Sequence, residues 1–147
     1  MAFCLFAVLL VLDQAVKSYV SSVMLLGESI PVIDGIFHIT YILNPGAAFG
    51  MLANQRWFFI LAGLAIIAAF WRYHPWLKQQ CSWFRFGCVS LLSGAVSNLI
   101  DRIRIGMVVD FFDFRIWPIF NIADVAIVLG VASMIYAILF KMKDTGD

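Results

Sequence analysis

Asp124 lies where a carboxylate is costly, at the start of an apolar run over residues 125–140 that can form most of a membrane-spanning helix. An unpaired carboxylate inside such a helix costs roughly 2.5–3.5 kcal/mol, so a chain that carries one usually uses it. Two further acids, Asp110 and Asp113, lie a short distance upstream in the stretch VVDFFDF. Two carboxylates that meet at a membrane surface can share one proton and activate a water molecule. These residues therefore indicate hydrolysis by a carboxylate pair.

The residues alone leave the partner of Asp124 open among Asp101, Asp110 and Asp113. Asp110 and Asp113 are an odd number of residues apart in a strand-like stretch, so their side chains point to opposite faces. At most one of them is expected to face Asp124. Asp101 is adjacent to Arg102, and we interpret it as a charge-neutralised structural acid.

Asn98, Arg102 and Asn121 can supply hydrogen-bond donors to such a pair. Asn98 and Arg102 are four residues apart and present an amide and a guanidinium on one helix face. Such donors can hold a substrate carbonyl or orient a carboxylate; the alternative is a helix end anchored at the interface. Asn121 is suited to cap the helix that contains Asp124, and the helix dipole alone would stabilise that carboxylate.

Asp13 and Lys17 are also four residues apart, with the acid first, in the first apolar segment. This order favours an ion pair on one helix face, and inside a membrane each partner lowers the cost of the other. We interpret the pair as a structural clamp rather than as part of the chemistry.

The composition is that of an integral membrane protein. The chain is 63% hydrophobic and 13% charged, with a mean hydropathy of +0.95, whereas soluble chains are about 45–50% apolar and about 25% charged. The net charge is +1 and no basic stripe is present, which argues against a nucleic-acid partner.

Four apolar segments approach the length of about 20 residues that a membrane span needs. They cover approximately residues 2–26, 57–73, 83–103 and 120–140. No linker or repeat interrupts residues 1–147, so we expect a single domain. A small excess of basic residues on one side favours both termini in the cytoplasm.

Residues 36–43 and 108–117 are strand-like, because β-branched and aromatic residues dominate them. Both fall on the same side of the membrane in a four-span topology, so we expect them to pair. The predicted fold class is a membrane all-α bundle of four transmembrane helices with a small extracytoplasmic β-sheet. The first strand ends in the turn sequence NPG, and residues 47–54 suggest a short interfacial helix.

The three cysteines, Cys4, Cys81 and Cys88, lie in or beside apolar segments at spacings that suggest neither a metal site nor a disulfide. We interpret them as small buried hydrophobic residues. We expect no metal and no cofactor.

Five stretches, in order along nearly the whole chain, resemble the motifs of lipoprotein signal peptidases, the type II signal peptidases of bacteria. They are DQAVK (13–17), NPGAAFG (44–50), SGAVSNLIDR (93–102), VVDFFDF (108–114) and FNIADVAI (120–127). Ser93 and Ser97 depart from the family pattern, which has glycine at both positions, and each adds a hydroxyl near Asn98.

This resemblance implies an intramembrane aspartic peptidase with Asp110 and Asp124 as the catalytic pair, and it supports the clamp reading of Asp13 and Lys17. It also implies a set of substrate-binding or orienting side chains: Asn44, Asn98, Arg102 and Asn121.

The implied substrate is a prolipoprotein that carries diacylglycerol on its lipobox cysteine and is cut just before that cysteine. The implied location is the bacterial cytoplasmic (inner) membrane, with membrane lipid as a partner and the active site toward the extracytoplasmic face. The oligomeric state stays open. Two other functions are compatible with intramembrane acids: a proton-coupled transporter and a non-catalytic membrane scaffold.

Overall fold

The computed structural model describes residues 2–46 and 51–142, which form four helices and three strands. In chain order the elements are α1 (Ala2–Val23), β1 (Ser29–Ile33), β2 (Phe37–Asn44), α2 (Arg56–Leu77), α3 (Ser82–Arg104), β3 (Val108–Asp113) and α4 (Ile122–Phe140). All four helices are long and apolar enough to cross a membrane. The predicted fold class, a four-helix membrane bundle with a small sheet, is confirmed.

Helix α3 lies at the centre of the bundle. Half of its spanning window (50%) is buried inside the protein, against 11% for α2. Small residues allow this close packing: a Cβ atom on Gly87 would lie 2.5 Å from the Gly130 carbonyl oxygen of α4, and a Cβ atom on Gly130 would lie 2.7 Å from the Gly87 carbonyl oxygen. Glycine at both positions therefore lets the backbones of α3 and α4 touch.

The helix ends differ from the predicted ones for local reasons. Helix α1 ends at Val23 because Gly27, with a φ of 85°, turns the chain and donates its N–H to the Tyr41 carbonyl at 2.8 Å. Helix α2 continues a further turn through Pro75 to Leu77. Helix α4 begins at Ile122 rather than at residue 120, because Phe120 forms a β-bridge with Phe112.

The sheet has the order β1-β2-β3, and both pairings are antiparallel. The expected pairing of residues 36–43 with residues 108–117 is present, although β3 ends early at Asp113. It ends there because Arg115 adopts a φ of 64° and donates its N–H to Asp113 Oδ1 at 2.8 Å. Strand β1 was not predicted; it contains Pro31 and lies at the sheet edge, where a missing N–H is tolerated.

Two other expectations are corrected. Of the expected interfacial helix at residues 47–54, the first four residues lie outside the described residues, and residues 51–54 form a turn because Leu52 and Asn54 have positive φ values of 55° and 65°. The cysteines are free but not buried: Cys4 is exposed, and Cys81 and Cys88 are partly exposed. An apolar segment in a membrane protein turns one face to lipid, so apolar neighbours do not imply burial.

Candidate active site

Each carboxylate oxygen of Asp110, on β3, accepts a hydrogen bond from one neutral side-chain amide. Its Oδ1 accepts from Asn121 Nδ2 at 2.6 Å, and its Oδ2 accepts from Asn44 Nδ2 at 2.9 Å. Burial, reinforced by the negative charge of Asp124, raises the pKa of Asp110 to about 7, and the hydrogen bonds from Asn44 and Asn121 only partly oppose this. Asp110 is therefore suited to carry a proton near neutral pH.

Asp124 lies in the first turn of α4 and forms a capping box with Asn121, which confirms the predicted cap. The Asn121 side chain accepts from Asp124 N at 2.9 Å, and Asp124 Oδ2 accepts from Asn121 N at 3.3 Å. The other oxygen, Oδ1, accepts from Asn98 Nδ2 at 2.8 Å. Both oxygens of Asp124 thus accept hydrogen bonds from N–H donors, and the carboxylate lies at the N-terminus of α4.

Asn121 joins the two acids. It is fully buried, with 0% of its surface exposed. Its side-chain amide donates to Asp110, while its backbone N–H and its side-chain oxygen bind Asp124. The same Nδ2 lies 3.2 Å from Asn98 Oδ1. One residue therefore fixes the position of the strand acid relative to the helix acid.

Asp110 and Asp124 line one cavity of about 620 Å³, together with Asn44, Asn98 and Arg102. The rest of the wall is mainly apolar and comes from α2, α3, α4 and the segment before α4. It includes Phe59, Ala62, Ile66, Leu99, Trp117, Phe120, Ile127 and Val128. An apolar cavity onto which a few polar groups converge is typical of a binding site for a largely apolar ligand.

Arg102 lies on the wall of this cavity and is held by contacts other than the acids. Its Nη2 donates to the Gly46 carbonyl at 2.9 Å, and its guanidinium lies over the Phe59 ring, 4.2 Å from the ring centroid. Arg56 in turn donates to the carbonyls of Arg102 and Ile103. Arg102 therefore ties the turn after β2 to α2 and α3.

Asp13 and Lys17 form an ion pair at 2.8 Å behind the cavity. Lys17 Nζ also contacts Asp101 Oδ2 at 2.8 Å and Asn98 Oδ1 at 2.9 Å. The ion pair of Asp101 is thus with Lys17 on α1, and not with its neighbour Arg102 as the sequence suggested. Asp13 Oδ1 accepts from Ala123 N at 2.8 Å, which ties α1 to the first turn of α4.

Asp113 lies away from the cavity and has a different set of partners. Its Oδ2 accepts from Thr40 Oγ1 at 2.8 Å and from Arg115 Nη1 at 2.9 Å. Burial raises the pKa of Asp113, but these hydrogen bonds, that from Arg115 N and the Arg115 charge outweigh it, so the pKa lies below its usual range. Of the three acids that the sequence left open, the structure brings Asp110 to the cavity that Asp124 lines.

The two serines that stand in place of family glycines point toward α1. Ser97 Oγ donates to Asp13 Oδ2 at 2.6 Å and accepts from Gln14 Nε2 at 2.9 Å, while Ser93 Oγ donates to the Phe6 carbonyl at 3.0 Å. Gln14, whose amide also donates to Asp101 Oδ1 at 2.9 Å, had no recognisable role in the sequence. Phe59 had none either, because nothing in the apolar segment around it distinguishes the ring that meets Arg102.

A family model described as Signal peptidase (SPase) II matches residues 5–140. The chain belongs to the signal peptidase II family. The resemblance that the motifs indicated is therefore confirmed, and the protein is an aspartic endopeptidase and a multi-pass membrane protein.

Relatives and solved structures agree with this assignment to signal peptidase II. The lipoprotein signal peptidase of Pelotomaculum thermopropionicum is 44% identical over 137 residues, covering 93% of this chain and 90% of the relative. That of Halothermothrix orenii is 40% identical over 147 residues, which is 100% of both chains. A bacterial membrane enzyme determined by the in meso method at 2.3 Å resolution superimposes with a TM-score of 0.91 at 31% identity, covering 99% of this chain and 92% of the other.

Proposed function

We propose that this signal peptidase II cleaves the signal peptide from diacylglyceryl-modified prolipoproteins, just before the lipidated lipobox cysteine. Asp110 and Asp124 act as the catalytic pair. The observation that carries the proposal is that both carboxylates line one cavity and are joined through Asn121. The relatives' name, lipoprotein signal peptidase, supports a lipoprotein precursor as the substrate.

The two carboxylates take different roles because their surroundings differ. Asp124 is the ionised base, since both of its oxygens accept N–H hydrogen bonds at a helix N-terminus. Asp110 is the acid, since burial and the charge of Asp124 raise its pKa to about 7. Pairs of acids whose surroundings favour opposite protonation states are suited to general acid–base catalysis.

In the first step a water molecule between the acids attacks the scissile carbonyl carbon. Asp124 accepts a proton from that water, while Asp110 donates its proton to the carbonyl oxygen, so that a neutral tetrahedral diol forms. In the second step the C–N bond breaks, the cysteine amine takes the proton now on Asp124, and a diol hydroxyl returns its proton to Asp110. The pair is then back in its starting protonation state.

The surrounding polar groups hold the acids and the substrate backbone. The carboxylates are held by hydrogen bonds of 2.6–2.9 Å from the side-chain amides of Asn44, Asn98 and Asn121. Arg102 already binds a backbone carbonyl, that of Gly46, and is suited to hold substrate backbone in the same way. No step uses a metal or a cofactor.

The apolar walls of the cavity suit a substrate that is itself anchored in lipid. Phe59, Ile66 and Val128 belong to helices that can cross the bilayer, so acyl chains can reach the carboxylates without entering water. We further propose that the whole chain is one domain in the bacterial inner membrane. Both termini then lie in the cytoplasm and the active site lies toward the extracytoplasmic face.

Mass spectrometry of a lipidated precursor incubated with the purified enzyme tests the substrate and the cut site. We expect two products, the free signal peptide and a protein that begins with the diacylglyceryl cysteine, and much slower cleavage of the matched unlipidated precursor. Equal cleavage of both precursors, or a cut elsewhere, would contradict the proposal. Proton flux in liposomes without any cleavage would instead favour the transporter, and function that survives neutralisation of both acids would favour the scaffold.

A further inference from the structure

We propose that Lys17 is a positioning residue for this hydrolysis, and that through Asn98 it orients the amide donor that meets Asp124. The inference rests on the function proposed above, because it concerns the same carboxylate pair. It goes beyond the structural clamp that the spacing of Asp13 and Lys17 suggests.

The Lys17 ammonium is buried, with 3% of the residue's surface exposed, and it has a full set of acceptors. Its Nζ lies 2.8 Å from Asp13 Oδ2, 2.8 Å from Asp101 Oδ2 and 2.9 Å from Asn98 Oδ1. An ammonium group has three donors and no acceptor. The Asn98 atom that faces Lys17 must therefore be the amide oxygen.

This constraint decides which atom of Asn98 faces the catalytic acid. With its oxygen held by Lys17, Asn98 presents Nδ2 to Asp124 Oδ1 at 2.8 Å. A flipped amide would place an oxygen against the carboxylate and a donor against the ammonium, and both contacts would be repulsive. The same oxygen also accepts from Asn121 Nδ2 at 3.2 Å, so the constraint extends to the residue that joins the two acids.

A clamp alone does not require this third contact. The i,i+4 pair of Asp13 and Lys17 is complete without Asn98, and Asp101 adds a second counter-charge. The bond to Asn98 leads instead toward the cavity, at a helix–helix contact between α1 and α3. Lys17 is thus linked to Asp124 through the side chain of Asn98.

The charged groups around the pair define the expected pH effect of removing Lys17. Asp13 and Lys17 approach from α1, and Asp101 and Arg102 from α3. Burial and Asp124 raise the pKa of Asp110, whereas the hydrogen bonds from Asn44 and Asn121, and then the Lys17 charge, lower it. Lys17 therefore favours ionisation of Asp110, and its removal should move the alkaline limb of the pH–rate profile, which Asp110 sets, to higher pH.

The test is the Lys17→Met variant of the full-length enzyme, assayed with a lipidated precursor. We expect kcat to fall roughly 10–100-fold, as for a small misplacement of a catalytic group, with KM within about 3-fold. We expect the alkaline limb to shift to higher pH. A fall in kcat with an unshifted profile would overturn the proposal, because loss of folded enzyme alone produces that result.

A second variant separates positioning from ion pairing. Asp13→Asn/Lys17→Met/Asp101→Asn removes both partners' charges together with that of Lys17, so this variant is used for the test if Lys17→Met does not fold. We expect this variant to fold and to remain slow; wild-type kcat and an unshifted profile in the folded triple variant would overturn the proposal. The matched control is Arg115→Met, which removes a cation paired with Asp113 at 2.9 Å and should leave kcat and the profile unchanged.

A double-mutant cycle tests whether Lys17 acts through Asn98. In an Asn98→Ala background, Lys17→Met should lower kcat by less than about 3-fold further, because the contact that it acts through is already gone. A full additional loss would overturn the proposal. If Asp110→Asn and Asp124→Asn are inactive while the Lys17 variants match the wild type, only this inference fails; if either Asp variant retains turnover, the proposed function itself fails.

Discussion

Asp110 and Asp113 belong to one strand and are both almost fully buried, with 1% and 4% of their surfaces exposed, yet their pKa values shift in opposite directions. On the side of β3 that meets the helices, burial and the charge of Asp124 raise the pKa of Asp110. The hydrogen bonds from the neutral amides of Asn44 and Asn121 oppose this rise only in part. On the other side, burial of Asp113 is outweighed by Thr40 and by the charged Arg115. The comparison shows that burial decides the protonation of an acid only together with its partners: at Asp110 the amide hydrogen bonds do not outweigh burial and the charge of Asp124, whereas at Asp113 the hydrogen bonds from Thr40 and Arg115, and then the Arg115 charge, outweigh burial.

The largest expected effect on activity comes from substituting Asp110, with Asp113 substituted for comparison. Asp110→Asn keeps the shape of the side chain but removes its proton chemistry, so kcat should fall roughly 10³-fold. Asp113→Asn is the matched control in the same strand and should stay within about 5-fold of the wild type. The measurement is the release of signal peptide from a lipidated precursor by equal amounts of folded enzyme. Inactivity of the Asp113 variant would mean that the wrong acid has been assigned.

A smaller effect is expected when the link between the two acids is cut but the helix cap is kept. Asn121→Ser retains a good N-cap residue, so α4 should still form. Serine is too short to reach Asp110 Oδ1, which now accepts from Asn121 Nδ2 at 2.6 Å. We expect kcat to fall roughly 10²-fold, as when a catalytic group is misplaced, with little change in thermal stability. Wild-type kcat in this variant would show that the bridge is dispensable.

The raised pKa of Asp110 predicts how activity depends on pH. If Asp110 must be protonated to act as the acid, kcat/KM should fall about tenfold per pH unit as the pH rises above about 7. The profile of the Asp113→Asn enzyme should have the same alkaline limb, because Asp113 lies outside the cavity lining. A rate that stays flat to pH 9 would contradict this role of Asp110.

The smallest effect concerns the side of the sheet away from the cavity. Thr40→Val removes the hydrogen bond of 2.8 Å to Asp113 with little change in shape, so the protein should lose about 1–2 kcal/mol of unfolding free energy. The folded pKa of Asp113 is depressed, so its stabilisation is present above the unfolded pKa and is lost as the pH falls through the folded value. Thermal unfolding in detergent at neutral and acidic pH measures both effects, and kcat should stay within about 3-fold. A large loss of activity at unchanged stability would contradict the separation of the two sides.

Local patterns in the sequence predict much of this fold. Long apolar segments predict the four helices, and β-branched residues predict β2 and β3. Asn121 is recognisable as a cap because its distance from Asp124 is a helix-terminal signature. The edge strand β1 escapes prediction, because it is short and contains Pro31.

Side-chain contacts between elements that are far apart in the chain could not be predicted from the residues alone. Lys17 meets Asn98 across 81 residues, and Asp13 meets Ala123 across 110, only because α1 packs against α3 and α4. The odd spacing of Asp110 and Asp113 predicts opposite faces but not which face meets the helices. The family resemblance identifies Asp110 as the catalytic acid of the strand. Its position is set by the bulged register between β2 and β3, which places Asp110 opposite Ile42 and within hydrogen-bond distance of Asn121.

Infrared difference spectroscopy of the purified enzyme across pH 5–9 tests most directly the claim that Asp110 holds the proton of the pair. We expect a protonated carboxyl band that disappears with a midpoint of about 7, that persists in Asp113→Asn and that is absent in Asp110→Asn. A spectrum without such a band, or the same band in the Asp110→Asn enzyme, would contradict the account.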